Sequence, residues 1–372
     1  MKFLIALFFL LPFYSLSQQN YFTITGRVVS LPDSMPMKNA SVFAENTTTG
    51  TATDDNGFFK LILPSGGYNL IVTYTGYSTE TQRVNSNSKE PVLIEMKVKE
   101  KDLTDVVIVS TNEVKDGWNK YGSFFLDEFL GKTINRQNCY LLNPEVLKFY
   151  YSRKKKRLKI LADEPLLINN KSLGYNIKYS LDSFTHEYET TVSVYSGFPL
   201  FDEIEPSSEI ELESWEAARD KAYHGSLLHF MRSLYKKELT ENDFEIQYIA
   251  NFNGIDSALK LSNFYSALNY EIDDSTGVVR IIPNQTKLGV IYKNEKPDPD
   301  YLKLNENEPS DFQFSYLSFQ KHQPIFIESN GYFYDQNDVV VGSYWTWLKV
   351  ADLVPYDYLL PQPPLENNEE LN

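Results

Sequence analysis

The fold of the first part of the chain is decided by one stretch, GTATDDNGFFKLIL, at residues 50–63. Asp54, Asp55, Asn56 and Gly57 separate two runs of strand-forming residues, and an Asn-Gly pair supplies the positive φ angles of a tight hairpin turn. The stretch therefore predicts two antiparallel strands. Calcium binding is the alternative, but calcium takes about six to eight oxygen ligands, and only three donor side chains lie close together here.

The same alternation with a period of two residues extends on both sides of this turn. Runs rich in Val, Ile, Phe and Tyr are separated by Gly, Pro, Asn and Asp, with a turn signal every eight to twelve residues or so. The strand-like runs are residues 23–29, 40–45, 57–63, 68–77 and 91–98. About seven strands in roughly 80 residues are typical of a small β-sandwich.

Several of these segments resemble a known family. They are Ile24-Thr25-Gly26-Arg27-Val28, Ala40-Ser41-Val42, residues 50–59, residues 64–70 and Thr75-Gly76-Tyr77. Together they look like the carboxypeptidase-like regulatory domain of Bacteroidetes envelope proteins, a transthyretin-like sandwich, over about residues 22–98. The resemblance implies a non-catalytic accessory module. The module is also similar to the one before the plug of many TonB-dependent sugar transporters, where a strand like residues 103–109 often follows.

The N-terminus has the pattern of a secretory signal peptide. Lys2 precedes an apolar stretch from Phe3 to Leu16, and Ser17 leads into a polar segment. A membrane-spanning helix needs about 20 apolar residues, and this stretch is shorter. A membrane anchor that is not cleaved is the alternative. We therefore expect residues 1–17 to be a signal peptide and the protein to be exported, to the periplasm or the outer membrane.

Charge and length restrict the function further. The 372 residues include 35 Lys and Arg against 50 Asp and Glu, a net charge of −15, which argues against a nucleic-acid partner. The single Cys excludes an internal disulfide. The length allows two folded domains. We assign residues 18–110 to the regulatory sandwich, 111–360 to a second domain and 361–372 to a disordered acidic tail.

The second domain has a mixed pattern. Residues 117–130 and 215–237 show helical spacing, the latter broken near His224-Gly225-Ser226, while residues 175–182 alternate strictly as in an antiparallel strand. A last short helix is expected at 345–353. The predicted fold class is therefore mainly β, with an N-terminal transthyretin-like β-sandwich followed by a larger antiparallel α+β domain. Residues 166–175, 222–232 and 331–334, with Trp345-Thr346-Trp347, resemble the segment that follows the regulatory module in uncharacterised Bacteroidetes proteins.

The candidates for chemistry are few. His186 and Glu189, with His322 far downstream, have the zinc spacing of metallocarboxypeptidases, but third neighbours on a strand point to opposite faces. His224 and His229 are five residues apart, so one continuous helix would place them on different faces. No nucleophile elbow, phosphate loop or dinucleotide motif occurs. We therefore expect no catalytic residue, metal ligand or cofactor, with a zinc-dependent hydrolase as the outlying alternative.

Other groups have both a packing and a functional interpretation. Cys139 is predicted to be a small buried apolar residue, and a catalytic nucleophile is the alternative. A dense aromatic set can fill the core, or can stack on a sugar or hold an apolar ligand. It consists of Tyr332, Tyr334, Tyr344, Trp345 and Trp347.

One basic block interrupts this acidic chain: Arg153, Lys154, Lys155, Lys156 and Arg157. It fits a solvated hairpin tip, and its functional alternative is contact with anionic lipid headgroups or lipopolysaccharide.

The sequence therefore predicts a non-catalytic exported envelope protein that binds a protein partner or a ligand, associated with outer-membrane uptake or assembly. Exposed sandwich edges offer a route for a partner to add a strand. The alternative is a periplasmic carrier or sensor whose larger domain encloses an apolar or glycan ligand.

Overall fold

A computed structural model of the protein describes residues 20–99 and 112–360. The predicted signal peptide, the strand at 103–109, the boundary at 110 and the tail at 361–372 lie outside the described residues. The described chain is mainly β, as predicted. No helix in these two ranges has the length and hydrophobicity needed to cross a bilayer.

The first unit is the predicted sandwich, made of two sheets. One sheet has the order β4-β1-β7, with β1 (Tyr21–Ser30), β4 (Phe58–Pro64) and β7 (Val92–Met96). The other has the order β3-β2-β5-β6, with β2 (Ser41–Ala44), β3 (Gly50–Ala52), β5 (Gly67–Thr73) and β6 (Glu80–Asn85). Alternate side chains of both sheets, such as Ile24, Leu61 and Leu70, form one buried cluster.

The deciding turn adopts the expected local chemistry. Asp54 Oδ1 accepts hydrogen bonds from the backbone N–H groups of Asn56 and Phe58, each at 2.8 Å, and Gly57 has φ +77°. Asp55 forms an ion pair with Lys38 at 2.6 Å. These side-chain contacts stabilise a hairpin turn. A turn is the interpretation that the sequence favours over a calcium-binding site.

The second unit is a six-stranded antiparallel sheet covered by one helix. The path β8-β11-β12-β10-β9 is extended by β13, which pairs with β12. Its strands are β8 (Cys139–Leu141), β9 (Leu147–Ser152), β10 (Arg157–Ala162), β11 (Leu166–Asn170), β12 (Tyr175–Glu187) and β13 (Val192–Glu203). Helix α1 (Gly117–Phe129), predicted from its aromatic spacing, packs Phe125 and Phe129 into the core of this sheet.

Two helices follow, α2 (Glu209–Tyr223) and α3 (Leu227–Lys236). The predicted break between them is confirmed, and Ser226 caps α3 by accepting a hydrogen bond from the backbone N–H of His229 at 3.1 Å. The predicted start at Trp215 was wrong. Helix α2 begins at Glu209 because Ser208 caps it, and acidic residues in the first turn are favourable at a helix N-terminus.

The third unit contains two further antiparallel sheets around a second core. The five-stranded sheet β15-β14-β18-β19-β21 uses β14 (Phe244–Phe252), β15 (Ile255–Lys260), β18 (Lys287–Tyr292), β19 (Gln313–Ser318) and β21 (Val340–Ser343). The three-stranded sheet β16-β17-β20 uses β16 (Glu271–Ile272), β17 (Val279–Ile281) and β20 (Ile325–Ile327). Short helices α4 (Phe264–Ala267) and α5 (Pro299–Leu304) lie in the connections. The region predicted as one domain thus has two main hydrophobic cores.

The final described residues do not form the predicted helix at 345–353. Two 3-10 turns stand there instead, Tyr344–Thr346 and Val350–Asp352, because Lys349 between them has an extended backbone. We call residues 350–358 the C-terminal strap. Val350 joins the core of the second unit, Tyr356 packs against the sandwich core, and Tyr358 contacts Tyr223 at the end of α2. The strap therefore touches the cores of separate parts of the protein.

Candidate functional site

Arg232 on α3 holds the C-terminal strap in place. Its guanidinium donates hydrogen bonds to three backbone carbonyls: Nε to Asn330 at 3.0 Å, Nη1 to Tyr358 at 3.0 Å and Nη2 to Tyr356 at 2.9 Å. A backbone carbonyl outside a helix or strand has no ladder partner, so a charged donor satisfies it well. One side chain thus connects α3, the Asn330 loop and the strap.

The strap also binds the sandwich directly. The N–H of Tyr356 donates to the carbonyl of Asn46 at 2.6 Å, and the carboxylate of Asp357 accepts from the backbone N–H and the hydroxyl of Thr48 at 2.9 and 2.6 Å. Burial raises the pKa of Asp357. In the same loop of the sandwich, Thr47 forms an isolated parallel β-bridge with Leu200 of β13. The sandwich is therefore attached to both the strap and the second unit.

A cleft of about 290 Å³ lies where the sandwich, β12, β13, α2 and the strap meet. Its lining consists of Thr48, Tyr175, Glu203, Glu216, Arg219, Pro355, Asp357, Tyr358 and Leu359. Carboxylates, one guanidinium and two tyrosines are thus brought together from four parts of the sequence. We call this space the strap cleft.

Arg219 is the fixed centre of the strap cleft. Its side chain donates from Nε to the carbonyl of Leu173 at 2.7 Å and from Nη2 to that of Gly174 at 3.2 Å. Nη1 lies 3.2 Å from Glu203, and the guanidinium stacks 4.0 Å above the ring of Tyr175. Because these contacts use one face and the edges of the guanidinium, Arg219 is held in place and paired with a carboxylate.

Tyr358 has an unusual hydroxyl. The residue is 8% exposed, and its buried hydroxyl has no hydrogen-bond partner within the part of the chain that is described. Burial raises the pKa of Tyr358 to about 12, so the hydroxyl stays a neutral donor. An unpartnered buried hydroxyl costs about 1–3 kcal/mol, and such groups occur at binding sites that await a partner.

A second cavity of about 200 Å³ lies beside α3 on the other side of the strap. Leu227, Leu228, Met231, Phe333 and Trp345 make most of its wall apolar. Its volume is smaller than that of the strap cleft, which itself lies just below the usual range of small-molecule sites, about 300–1,000 Å³. This cavity gives little room for the apolar ligand that the carrier hypothesis requires.

The five predicted aromatic residues do not form one open surface. Tyr332, Tyr344 and Trp345 are buried, with exposed fractions of 1%, 6% and 6%. The hydroxyl of Tyr332 donates to the Asn69 side chain of the sandwich at 2.9 Å, and the ring of Tyr334 lies tilted against that of Tyr332 with ring centres 5.6 Å apart.

The other three aromatic residues form a separate group inside the third unit. Tyr344 and Trp347 both contact Tyr301, and Trp345 donates from Nε1 to the carbonyl of Gly225 at 2.8 Å. These three residues therefore pack against other parts of the protein. This agrees with core packing, one of the two interpretations of the aromatic set, and not with a ligand-stacking surface.

The basic block lies where it was predicted, at the turn between β9 and β10. Arg153, Lys154, Lys155 and Lys156 are exposed, and Arg157 is half-buried at the start of β10. It lies in the second unit, whereas the strap cleft lies at the junction of that unit with the sandwich and the strap.

The histidines have packing roles. His186 is buried against Phe124 and Tyr188, and its Nδ1 lies 2.9 Å from the hydroxyl of Ser193, whereas Glu189 points to Lys156 at the sheet end. His322 lies in a turn of the third unit. In residues 20–99 and 112–360 no three His, Cys, Asp or Glu side chains are grouped to hold a metal ion.

His224 and His229 lie closer together than one continuous helix would allow. The break at residues 224–226 brings their ring centres to 5.0 Å, and His229 Nδ1 accepts a hydrogen bond from the N–H of Gly225. Burial, with a smaller contribution from His224, lowers the pKa of His229 to about 3. Cys139 is also buried, and this raises the pKa of its thiol to about 12, so the thiol is unreactive.

The residues that build the strap cleft carry no motif in the sequence. Arg219, Arg232, Asp357 and Tyr358 are common residue types at unremarkable spacings, and Thr48 is 309 positions from the carboxylate it binds. A Tyr-Asp-Tyr triplet at 356–358 is the one local hint, because a buried tyrosine combines a large apolar ring with a hydroxyl that usually finds a hydrogen-bond partner.

Comparison with known proteins identifies the sandwich. Residues 24–109 match the family model of the CarboxypepD_reg-like domain. The N-terminal module belongs to that family. This confirms the resemblance carried by the 50–59 stretch. A 92-residue segment, 25% of this chain, is 30% identical to the TonB-dependent receptor P39 of Formosa agariphila. The matched segment spans only 9% of that receptor's length.

Among solved structures, similarity is weak. A chain of a type II cohesin–X-dockerin complex from Acetivibrio cellulolyticus is 20% identical, with a TM-score of 0.18, over 24% of this chain and 72% of that one. A DUF3823 family protein from Bacteroides ovatus is 10% identical, with a TM-score of 0.17, over 50% of this chain and 83% of that one. At such scores neither likeness bears on function.

Proposed function

We propose that this chain is a non-catalytic protein of the cell envelope that binds a small, hydroxyl-bearing ligand of the glycan type in the strap cleft. The CarboxypepD_reg-like domain and the similarity to a TonB-dependent receptor support an envelope protein that is exported to the periplasm or the outer membrane. The packing roles of the histidines and the inert thiol of Cys139 support a binding role over catalysis.

The observation that carries the proposal is the composition of the strap cleft. Its lining holds the carboxylates of Glu203, Glu216 and Asp357, whereas the guanidinium of Arg219 is already engaged by Glu203 and two backbone carbonyls, so an anionic ligand meets net repulsion. A neutral ligand with several hydroxyls can donate hydrogen bonds to the carboxylates. The volume of about 290 Å³ suits one sugar ring.

Tyr358 gives this proposal a specific contact. Tyr358 lines the strap cleft and its hydroxyl is buried, so the strap has to shift before a ligand contacts the hydroxyl. Gaining the missing hydrogen bond then offsets part of the cost of binding. The neutral hydroxyl of Tyr358 can donate a hydrogen bond to a ligand hydroxyl, and the carboxylates can accept hydrogen bonds from other ligand hydroxyls.

Glucose, galactose and mannose are suitable probes for the strap cleft. We expect at least one of them to raise the melting temperature of the protein in a concentration-dependent way, since a ligand that binds only the folded state stabilises it. Putrescine and toluene, which represent a cation and an apolar ligand, are expected to have no such effect. A larger shift with putrescine or toluene contradicts the proposed ligand class.

The variant Tyr358→Phe separates binding from stability. We expect its unliganded stability to be unchanged or higher, because it removes an unpartnered hydroxyl, while its affinity for the sugar falls about tenfold. Tyr74→Phe, on an exposed residue of the sandwich, is the matched control. Equal affinities of Tyr358→Phe and the wild type in calorimetric titration would exclude the contact.

Docking of an envelope protein partner is the second candidate function. The outer face of the sheet β4-β1-β7 exposes Tyr21, Phe58, Ile62 and Leu93, each by more than half of its surface. They share this face with Thr23, Thr25, Arg27 and Lys60, so the face mixes exposed apolar and polar side chains. The variant Ile62→Glu with Leu93→Glu is expected to abolish chemical cross-linking of the intact protein to its envelope partner, and retained cross-links would reject this face.

A further inference from the structure

The basic block is part of a larger surface at one end of the six-stranded sheet. Strand register places Ser152, Arg157, Glu187 and Val192 in one row across β9, β10, β12 and β13. The β9–β10 turn and the β12–β13 turn therefore project side by side from the same end of the sheet. We call this end the basic sheet end, with residues 153–157 and 188–194.

The basic sheet end has an excess of positive charge. Arg157 pairs with Glu187, and Lys156 lies 3.3 Å from Glu189, so two of the five cations are neutralised locally. Arg153, Lys154 and Lys155 are exposed and make no ion pair with any residue in the described ranges. This charge contrasts with a chain whose net charge is −15.

Exposed apolar side chains lie beside these cations. Tyr188 is 39% exposed at the neighbouring turn, and Val192 and Val194 on the edge strand β13 are 50% and 64% exposed. The aromatic ring of Tyr188 also packs on Tyr151 at 5.9 Å, which holds it at the tip of the sheet. Ser193, between the two valines, bonds the buried His186, so the valines flank the sheet end on the opposite face, whereas Tyr188 packs on the His186 side.

We propose that the basic sheet end binds the surface of an anionic phospholipid bilayer. Lys and Arg are attracted to headgroup phosphates, and tyrosine and aliphatic side chains favour the boundary between headgroups and acyl chains. A nucleic acid would leave the valines without apolar contacts. Because the rest of the protein is acidic, an anionic membrane repels its other faces, and this orients the molecule with the sheet end toward the lipid. The surface is independent of the strap cleft.

Vesicle flotation with the full chain tests this proposal. We expect binding to vesicles that contain phosphatidylglycerol, weak binding to pure phosphatidylcholine vesicles, and loss of most binding at about 1 M salt. The variant Arg153→Gln/Lys154→Gln/Lys155→Gln is expected to reduce the partition coefficient on the order of a hundredfold, given about fivefold for each cation near the surface. Val192→Ser/Val194→Ser should reduce it several-fold while keeping the salt dependence.

The matched control is Lys60→Gln/Lys89→Gln/Lys97→Gln, which removes the same charge from exposed positions of the sandwich. It should reduce binding less than threefold or so, because those lysines lie away from the sheet end. Equal losses in the two triple variants would show a general charge effect and overturn the proposal. Wild-type binding to heparin or lipopolysaccharide, without binding to phosphatidylglycerol vesicles, would overturn it as well.

Discussion

Arg232→Ala is expected to lower the free energy of unfolding by about 3 kcal/mol and to release the C-terminal strap. The change removes a charged donor from three backbone carbonyls, of Asn330, Tyr356 and Tyr358, and leaves them without a protein partner. Urea denaturation measures the loss of stability. Hydrogen exchange at residues 354–360 measures the release, and we expect faster exchange there than in the sheets.

Two further variants show whether the contacts or the charge matter. Arg232→Lys keeps the charge but cannot reach three carbonyls at once, so we expect it to recover only a small part of the loss. Arg280→Ala removes an exposed arginine that pairs with Glu271, and such pairs contribute about 0–1 kcal/mol. If Arg232→Ala were no more harmful than Arg280→Ala, the strap would not depend on this side chain.

Acid is expected to destabilise the protein through His229. The pKa of the buried imidazole is lowered to about 3, whereas an unfolded chain has its histidine pKa near 6.5. Below that value the unfolded state binds a proton that the folded state does not, so stability falls as the pH decreases from about 6.5. Between pH 7 and pH 4 this one group removes roughly 3 kcal/mol.

His229→Asn tests the assignment. Its amide oxygen keeps an acceptor for the N–H of Gly225, but the side chain does not titrate. The variant loses packing against Phe244, so it should be less stable than the wild type at pH 7, and the difference should shrink or reverse by pH 4. A difference that is constant across this range would mean that His229 accepts its proton as easily in the fold as in water.

The sequence predicts those features that arise from neighbouring residues. The hairpin at 54–57 could be predicted because Asp54 and Gly57 determine the turn, and the break before α3 because Ser226 is a good cap. Helix α2 was predicted to start too late. The apolar spacing begins only at Trp215, whereas the helix begins at Glu209 because Ser208 and the acidic first turn stabilise its N-terminus.

The strap cleft could not be predicted from local patterns. Arg232 and Tyr358 are 126 positions apart, and Thr48 and Asp357 are 309 positions apart. Such contacts depend on how three separately folded cores meet, and hydrophobic periodicity contains no information about that. The dense aromatic set at 332–347 was similarly ambiguous, because aromatic residues are enriched both in cores and at binding surfaces.

The direct test of the ligand proposal is a crystal structure of the protein soaked with whichever of the three sugars stabilises it most. We predict one sugar ring between Tyr175, Glu216 and the strap, with a hydroxyl within hydrogen-bond distance of Tyr358. A ring bound anywhere else, or an unchanged Tyr358 at saturating sugar, would contradict the assignment of this cleft as the binding site.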